Sequence, residues 1–532
     1  MRATYSLLLV SSGLRALAVS ASIIKSLVIG STNTTYPDTD STRTAVAING
    51  QFPGPVITGN VGDTFVINVF DDVPDDNLRL ASTVVSLGTH LHWHGLFQTG
   101  TNEMDGVDRR SPSTTRTASS NPFTYRFIGN RAGTFWYYSE NGTQSCDGIR
   151  GPAVVYDPND PHRSLYDVDD ETTIITLATW YQLNSPESPQ SGSFNPTLIN
   201  GKGRDSVAFG ENLANELSVV SVEAGTRYRM RLISMSCDPY SMYTLYVHQM
   251  TIIEVEGTNV EPLVVDQIQI SPGQRYSFVL NANQPVDNYW IRAFPGSTGT
   301  NTLPQASEHG LSQAILRYSG ASLADPITTT TSPTLPLLET NLHPLKPTPV
   351  PGVLAVGGAD STLTLNLTSG EMVDFSANNV PYTALDVPIL RRNRSDVTAA
   401  QELTSRGGAH EPRSNSVIDL VVPGASLAGQ SVHLHGHNFW VIRSAGNSSY
   451  NWDNPIVRDV VSVGNDAMDN VTIRFETNRL LLDTGCQVDL NVDTGSDVVM
   501  AKSPAKLASD VNVKKCALIL NVHLVVHHTS GP

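Results

Sequence analysis

Residues 62–70 read Gly-Asp-Thr-Phe-Val-Ile-Asn-Val-Phe, with apolar side chains at every second position from Phe65 to Val69. Side chains of a β-strand alternate between its two faces, so this period predicts a half-buried strand that follows a turn at Gly62. The alternation recurs in residues 227–232, where apolar residues alternate with arginines, and in residues 275–280. Each stretch therefore predicts a strand with one apolar face and one face in solvent.

The composition of the whole chain agrees with a fold built from short strands. Of 532 residues, 16% are charged, 40 are glycine and 32 are proline, which favours a turn-rich β protein over long charged helices. The net charge is −16, and because an acidic chain repels phosphate backbones, we expect no nucleic-acid partner. A chain of this length is too long for one core and predicts about three domains.

The strand patterns repeat three times along the chain. A strand led by glycine begins near Gly62, near Gly225 and after Gly424. A segment rich in proline and threonine precedes the third unit and predicts an extended linker. We therefore predict an all-β protein of three β-sandwich or Greek-key barrel domains. The predicted boundaries are residues 21–157, 158–325 and 353–532 for the domains and residues 326–352 for the linker.

Residues 1–20 have the features of a secretory signal peptide: Arg2, an apolar stretch, and small residues up to Ala21. Six N-x-S/T triplets are potential glycosylation sites, at Asn33, Asn141, Asn366, Asn393, Asn447 and Asn470. No later run of apolar residues reaches the roughly 18 needed to cross a bilayer. We therefore expect a secreted, extracellular glycoprotein with no membrane partner.

Two His-x-His pairs, His92 with His94 and His433 with His435, are the sharpest chemical signal in the sequence. Residues i and i+2 of a strand project from the same face, so each pair presents two imidazoles side by side. Imidazole binds copper, zinc and iron, and two such strands facing each other would form a site of four imidazoles. The other interpretation is that each pair lies on a solvated or hydrogen-bonded strand face. Because the pair occurs twice within an internal repeat, we favour a metal site.

The sequence around these pairs resembles the fungal laccases, which are members of the multicopper oxidases. The matching stretches follow one another across most of residues 45–478: residues 49–55 (NGQFPGP), 92–95 (HWHG), 105–106 (DG), 133–137 (GTFWY), 146–151 (CDGIRG), 198–204 (LINGKGR), 236–239 (SCDP), 433–437 (HLHGH) and 458–461 (RDVV). The resemblance implies three cupredoxin-like domains, four coppers, and a monomer that acts on small phenolic or aromatic substrates in lignin degradation. In this family a type 1 copper takes electrons from the substrate, and a trinuclear cluster passes them to O2, making water.

Four of the ten histidines that hold copper in this family have counterparts here. His92 and His433 match the type 2 copper ligands, and His94 and His435 match two of the six type 3 ligands. Cys486 matches the thiolate ligand of the type 1 copper.

The other six ligand positions are occupied by residues of other types. Tyr138 and Glu140 lie at two type 3 positions, where they are possible substitute ligands, and the remaining four are Gln430, Gly485, Gln487 and Asn491. Type 1 copper needs two imidazoles and a thiolate, so we do not expect a complete electron-entry site. This comparison of ligand positions predicts fewer than four coppers and impaired reduction of oxygen. It leaves one residual site formed by the four histidines, with Glu140 nearby.

The resemblance also implies roles for two cysteines and one aspartate. Cys146 and Cys237 match a disulfide that joins the first and second domains, and Asp238 matches a position near the substrate pocket. A carboxylate there would accept a hydrogen bond or a proton from a phenol, although an ordinary Asp-Pro turn is the other interpretation. The family partner of Cys516 is missing, so Cys516 is predicted to be an odd thiol.

Several alternatives to an impaired laccase are open. One is a laccase that is active because non-histidine ligands suffice, and another is a secreted metal-binding or interaction protein on an inactive laccase scaffold. A third is mistranslation of residues 108–120 and 511–532, which depart abruptly from the family pattern. The Asp-Thr-Gly triplets at residues 483–485 and 493–495 resemble the aspartic-protease motif. That enzyme pairs aspartates from two separate lobes, which two triplets in one short segment do not supply.

Overall fold

The computed structural model describes residues 21–35, 42–72, 91–101, 104–106, 122–140, 144–180, 197–204, 216–237, 241–245, 248–295, 312–328, 332–369, 375–377, 380–381, 415–424, 431–464, 469–477, 486–490 and 516–523. Almost all regular secondary structure in these ranges is β-strand, which confirms the predicted all-β class. Short 3-10 helices occur at Arg163–Leu165, Glu171–Thr173 and Glu339–Asn341. Among the described residues, no helix has the length and apolar character required to span a bilayer.

In its described residues, the first domain forms two four-stranded sheets. Its strands are β1 Ser22–Thr35, β2 Thr42–Ile48, β3 Ile57–Asn60, β4 Thr64–Asp71, β5 Leu91–His94, β6 Phe123–Ile128, β7 Gly133–Ser139 and β8 Arg150–Tyr156. The sheet orders are β2-β1-β4-β6 and β3-β8-β7-β5. β4 alternates as predicted, with Phe65, Ile67 and Val69 buried in the core. β5 includes the first histidine pair and is paired antiparallel with β7.

The second domain has a six-stranded and a five-stranded sheet. Its strands are β9 Ile174–Thr179, β10 Thr197–Ile199, β11 Val219–Val222, β12 Arg227–Ser234, β13 Ser241–Leu245, β14 Met250–Val255, β15 Thr258–Val265, β16 Gln267–Ile270, β17 Arg275–Asn281, β18 Asn288–Pro295 and β19 Gln313–Tyr318. The orders are β10-β9-β12-β17-β14-β15 and β11-β19-β18-β13-β16. Neighbouring strands that are not consecutive in sequence show that the connections cross between sheets, as in Greek-key sandwiches.

The third domain contributes sheets of five, four and three strands. Its strands are β20 Ser361–Thr364, β21 Leu367–Ser369, β22 Phe375–Ala377, β23 Val380–Pro381, β24 Val417–Pro423, β25 Ser431–Leu434, β26 Phe439–Arg443, β27 Val457–Arg458, β28 Val460–Ser462, β29 Asn470–Glu476, β30 Cys486–Leu490 and β31 Cys516–His523. The orders are β20-β24-β29-β26-β27, β28-β25-β31-β30 and β21-β22-β23.

Part of the C-terminal segment that departs from the family pattern forms β31. This strand pairs antiparallel with β25, opposing Asn521 to His433, and parallel with β30, opposing Cys516 to Cys486. The strand beside the second histidine pair therefore comes from this segment. The proline-rich segment before the third domain is also in contact with sheets, because Pro336 and Pro344 form single bridges to β16 and β15.

The second face of β12 is buried, contrary to the prediction of a face in solvent. Arg229 is 5% exposed and Arg231 is 2% exposed. Arg229 donates hydrogen bonds to the carboxylates of Asp160 and Glu254, and Arg231 donates to Asp169. β17 is likewise buried on both faces up to its last residue. Alternation alone does not distinguish a solvated arginine from one that is paired inside the protein, and this is why the prediction was wrong.

Glu254 connects the first two domains through its buried carboxylate. It accepts hydrogen bonds from the backbone N–H of Thr134 at 3.1 Å, from Arg229 at 2.9 Å and from the backbone N–H of Gly257 at 2.7 Å. Burial would raise the pKa of this carboxyl, but the guanidiniums of Arg229 and Arg231, together with the hydrogen bonds, lower it to about 2. The ionised form is therefore bound into the domain interface.

We predict that Glu254 makes the fold sensitive to acid. Because folding lowers its pKa from 4.5 to about 2, the ionised group contributes stability above the unfolded value, and this stability is lost as the pH falls toward the folded value. Glu254→Gln should lower the free energy of unfolding by about 2 to 3 kcal/mol near neutral pH. Acidification should then cost the variant less than the parent. Urea unfolding of the parent and the variant, at neutral and at acidic pH, measures this. An equal loss of unfolding free energy on acidification in both proteins would contradict it.

The predicted disulfide between the first and second domains is confirmed. Cys146 and Cys237 are bonded, with Cα atoms 5.9 Å apart and a sequence separation of 91. Both are buried, one before β8 and the other after β12.

Removing this disulfide should destabilise the protein, because the cross-link closes a long loop in the unfolded chain. We expect Cys146→Ala with Cys237→Ala to lower the free energy of unfolding by about 2 to 5 kcal/mol. Thermal unfolding with and without reductant checks this. Reductant should lower the Tm of the parent to that of the double variant and leave the variant unchanged, whereas identical Tm values under oxidising conditions would argue against the prediction.

Candidate metal centre

The structure brings the two histidine pairs face to face between the first and third domains. The rings of His94 and His433 are stacked with centroids 3.7 Å apart, and those of His92 and His435 are 4.0 Å apart. His92 and His94 both lie in β5, where alternation directs them to one face. His435 lies just after the end of β25, in the following turn, rather than in the strand itself. All four rings are buried.

Backbone carbonyls orient the two rings that match type 2 ligands. Nδ1 of His92 lies 2.9 Å from the carbonyl oxygen of Asp105, and Nδ1 of His433 lies 2.8 Å from the carbonyl oxygen of Asp459. A carbonyl oxygen accepts hydrogen bonds and cannot donate them, so each Nδ1 carries the proton. In the neutral ring this leaves the lone pair on Nε2, which is the arrangement of a metal-binding histidine.

Nε2 of His92 and Nε2 of His433 are buried and have no hydrogen-bond partner among the described residues. A buried nitrogen without a partner costs free energy unless water or a cation takes that place. The two rings have centroids 5.9 Å apart. Both are therefore oriented as ligands of a metal ion bound within the cluster.

Three carboxylates surround the four rings. Asp105 lies 3.3 Å from Nδ1 of His92 and 3.3 Å from Nδ1 of His435. Glu140 lies 3.3 Å from Nε2 of His435, and Asp459 lies 3.6 Å from Nε2 of His94. The negative charge of these groups attracts a cation to the centre.

The carboxylates and the burial act on the imidazoles in opposite directions. Burial alone would lower the pKa of His92, but the carboxylates of Asp105 and Glu140 raise it to about 9. Burial and the neighbouring ring of His94 hold the pKa of His433 well below its usual range, so this ring is neutral. A cation bound at Nε2 of His92 would displace a proton, so metal binding and protonation compete at this ring.

Two sets of residues have ligand atoms close enough to share one ion. The atoms of His92, His94 and His433 lie within 4.8 Å of one another, and so do those of His92, Asp105 and His435. Imidazole suits copper, zinc and iron. This donor set, with two oriented and unpartnered nitrogens, therefore fits copper.

Tyr138, in β7, and Glu140, directly after β7, both contact the histidine cluster. The ring of Tyr138 stacks on Trp136 at 4.2 Å and meets His92 edge-on at 5.5 Å. This aromatic packing agrees with Tyr138 filling space beside the site. The Glu140 carboxylate contacts His435 directly and is the better placed of the two as an oxygen ligand.

Other residues of the predicted site lie outside the described part of the chain. These are Asp238, beside the disulfide, and the substituted positions Gln430, Gly485 and Asn491. Cys486 begins β30, whose backbone is described, next to β31. The type 1 position and the substrate pocket thus remain predictions from the resemblance.

Sequence reasoning missed the contacts that Asp105 and Asp459 make with the histidine rings. Both occur in the matching stretches, but their contacts with the rings are contacts of the fold, across 13 residues for His92 and 26 residues for His433. A metal-binding histidine needs an acceptor for its second ring nitrogen. That rule demands such a partner without specifying which residue provides it.

Three protein-family models, each described as multicopper oxidase, match the chain over residues 30–160, 171–321 and 365–504. Laccase-2 of Trametes versicolor is 45% identical over 484 residues, covering 89% of each chain. The laccase of Pycnoporus cinnabarinus is 44% identical over 492 residues, covering 90% of each chain.

Solved structures show the same architecture. The laccase from Botrytis aclada superposes with a TM-score of 0.65 at 25% identity, over 87% of this chain and 84% of that one. Fet3p, a multicopper oxidase that functions in iron import, has a TM-score of 0.66 at 22% identity, over 86% of this chain and 85% of that one. At this identity the likeness is evidence for the fold only. Together the likenesses favour a laccase-like oxidase over an interaction protein on an inactive scaffold.

Proposed function

This chain belongs to the multicopper oxidase family as a relative of the fungal laccases, and we propose that it is a laccase-like oxidase with an incomplete set of copper ligands. The single observation that supports this most directly is the cluster of four buried imidazoles, in which Nε2 of His92 and Nε2 of His433 have no hydrogen-bond partner among the described residues. Their Nδ1 atoms are already engaged by backbone carbonyls. Their Nε2 atoms are the ones left to bind copper, which at His92 must displace a proton.

His92, His94, His433 and His435 are the residues that would hold copper. Bound copper supplies one-electron redox chemistry, with O2 as the final acceptor in this family. The protein supports that chemistry by fixing the ring orientations through backbone carbonyls and by excluding bulk water, since all four rings are buried. Glu140 would add negative charge and an oxygen ligand beside His435.

The substitutions support a reduced copper content. Tyr138 and Glu140 replace two imidazoles in the described site, and we propose that Cys486 lacks the two imidazoles that a type 1 copper requires, because Gln430 and Asn491 occupy their positions. Fewer than four coppers then bind, and electron entry from substrate is impaired. The four-histidine site holds the remaining copper.

The laccase family uses phenolic substrates and O2. We extend the proposal to a small phenol or aromatic amine as the substrate of this chain, with Asp238 at the pocket as hydrogen-bond or proton acceptor. We also propose a secreted, N-glycosylated monomer, processed after residue 20, with domains at residues 21–157, 158–325 and 353–532. These features are supported by the sequence patterns and by the family.

Oxygen uptake by the copper-loaded protein in the presence of a phenol tests this function. We expect slow, phenol-dependent uptake, far below that of Laccase-2 from Trametes versicolor assayed with the same phenol. Absence of any phenol-dependent uptake would reject an oxidase, and a rate equal to that of the relative would reject the impairment.

A further inference from the structure

A tight turn of the second domain lies against both histidine strands. The turn precedes β17 and includes Pro272 and Gly273. The hydroxyl of Ser431, at the start of β25, donates to the carbonyl of Pro272 at 2.7 Å. Gly273 has a φ of +80°, and a Cβ there would approach His94 to 3.0 Å. A domain that provides none of the four histidines thus contacts both strands that do.

Arg275, at the end of this turn, links all three domains through its guanidinium. It donates two hydrogen bonds to the carboxylate of Asp459 in the third domain, at 2.6 and 2.7 Å. Its Nε donates to the carbonyl of Thr134 in the first domain at 2.9 Å. It also passes directly over Gly95, the residue after His94, and leaves no room for a Cβ there. The residue is fully buried.

Asp459, which Arg275 holds, also contacts two of the histidine rings. Its carboxylate lies 3.6 Å from Nε2 of His94 and 3.5 Å from Nδ1 of His433, and its carbonyl accepts the hydrogen bond from Nδ1 of His433. Its backbone N–H donates to Glu256 of the second domain at 2.8 Å. Residues of the second domain therefore hold both the carboxylate and the backbone N–H of Asp459.

We propose that Arg275 is a positioning residue of the metal centre: it holds Asp459 in place and thereby sets the separation and orientation of His94 and His433. The inference rests on the proposed function, in that the histidines must bind metal for the positioning to matter. A planar guanidinium with two parallel hydrogen bonds fixes the carboxylate in distance and angle. Lysine would keep the charge and lose that geometry.

The matched control is another buried, two-bond ion pair. Arg474 donates to the carboxylate of Asp419 at 2.6 and 2.9 Å, within the third domain, and its side chain is as fully buried as that of Arg275. Its guanidinium also donates to carbonyls of the segment before β20, such as Pro351, and lies over the ring of Trp452. Arg474→Lys therefore reproduces the loss of a buried guanidinium pair away from the histidines.

Copper affinity, measured by competition with a chelator, tests the proposal on parent, Arg275→Lys and Arg474→Lys proteins. We expect Arg275→Lys to bind copper about 10 to 100 times more weakly, as for other residues that orient metal ligands, and Arg474→Lys to bind like the parent. Equal copper affinity of Arg275→Lys and the parent would overturn the proposal. A parent that binds no copper would instead reject the proposed function.

A measurement without metal separates positioning from general destabilisation. Nitrogen-15 NMR of histidine-labelled, metal-free protein should show shifted ring signals for His94 and His433 in Arg275→Lys and unchanged signals for His248, which is hydrogen-bonded to Tyr318 in the second domain. Should Arg275→Lys fail to fold, Asp459→Asn, which retains the side-chain shape, serves for both measurements with the same expected outcomes. Unchanged ring signals for His94 and His433 would refute the positioning role, even if the copper affinity fell.

Discussion

Replacing His433 by alanine should abolish copper binding at the four-imidazole site. His433 is buried, its ring stacks on His94, and its Nε2 has no hydrogen-bond partner among the described residues. The substitution removes this nitrogen and breaks the set formed by His92, His94 and His433, whose ligand atoms lie within 4.8 Å of one another. Because outer residues that orient ligands already change metal affinity by about 10 to 100-fold, we expect a loss of at least about a hundredfold. Metal analysis after dialysis, together with chelator competition, measures it.

His248→Ala is the control for this experiment. His248 is also a buried histidine, but it donates to or accepts from Tyr318 and packs against Tyr289 in the second domain. The control tests whether losing any buried imidazole is enough to release metal through unfolding. Copper retained by His433→Ala at parental affinity would contradict the proposed site, as would equal losses in both variants.

Restoring two family ligands should raise the copper content. Tyr138 lies opposite His92 in the β5–β7 pair, with ring centroids 5.5 Å apart, and Glu140 already contacts Nε2 of His435. Tyr138→His with Glu140→His would place two further imidazoles around the existing four. We expect at least one additional copper per chain, since each ion in the family cluster needs several imidazoles. The count is obtained by metal analysis of protein loaded under identical conditions.

Tyr137→His is the matched control for the restoration. Tyr137 lies in the same strand on the opposite face, where its hydroxyl donates to the carbonyl of Pro55 at 2.8 Å. Alternation therefore directs a histidine there away from the site. Additional copper in Tyr137→His, or none in the restored double variant with an unchanged Tm, would argue against the structural account of Tyr138 and Glu140.

The fold was largely predictable from local patterns. The alternation in β4 predicts its buried face correctly. Phe65, Ile67 and Val69 point into the core, and the residues between them on the other face of the strand are half-exposed. The same rule fails for β12, since Arg229 and Arg231 are buried and paired with Glu254 and Asp169, and Arg231 also donates to Thr134 of the first domain. Strand periodicity reports one sheet at a time and does not include the packing of one domain on another.

The meeting of the two histidine pairs was predictable from the sequence, and the groups that orient the rings were not. The His-x-His spacing places two imidazoles on one face, and the repeat suggests that two such faces meet. The groups that orient the rings could not be predicted in this way, because Arg275 and Asp459 are 184 positions apart in sequence. No local pattern connects an arginine of the second domain with a ring of the third. Such contacts follow only from the assembled fold.

The most direct test of the central claim is the copper content and visible absorption of the purified, copper-loaded chain. We predict about one copper per chain, bound through imidazoles, and no intense blue absorption from a cysteine–copper bond, because the imidazole partners of Cys486 are absent from the sequence. Four coppers per chain with an intense blue band would contradict it and would show that the substituted positions still build a complete laccase centre.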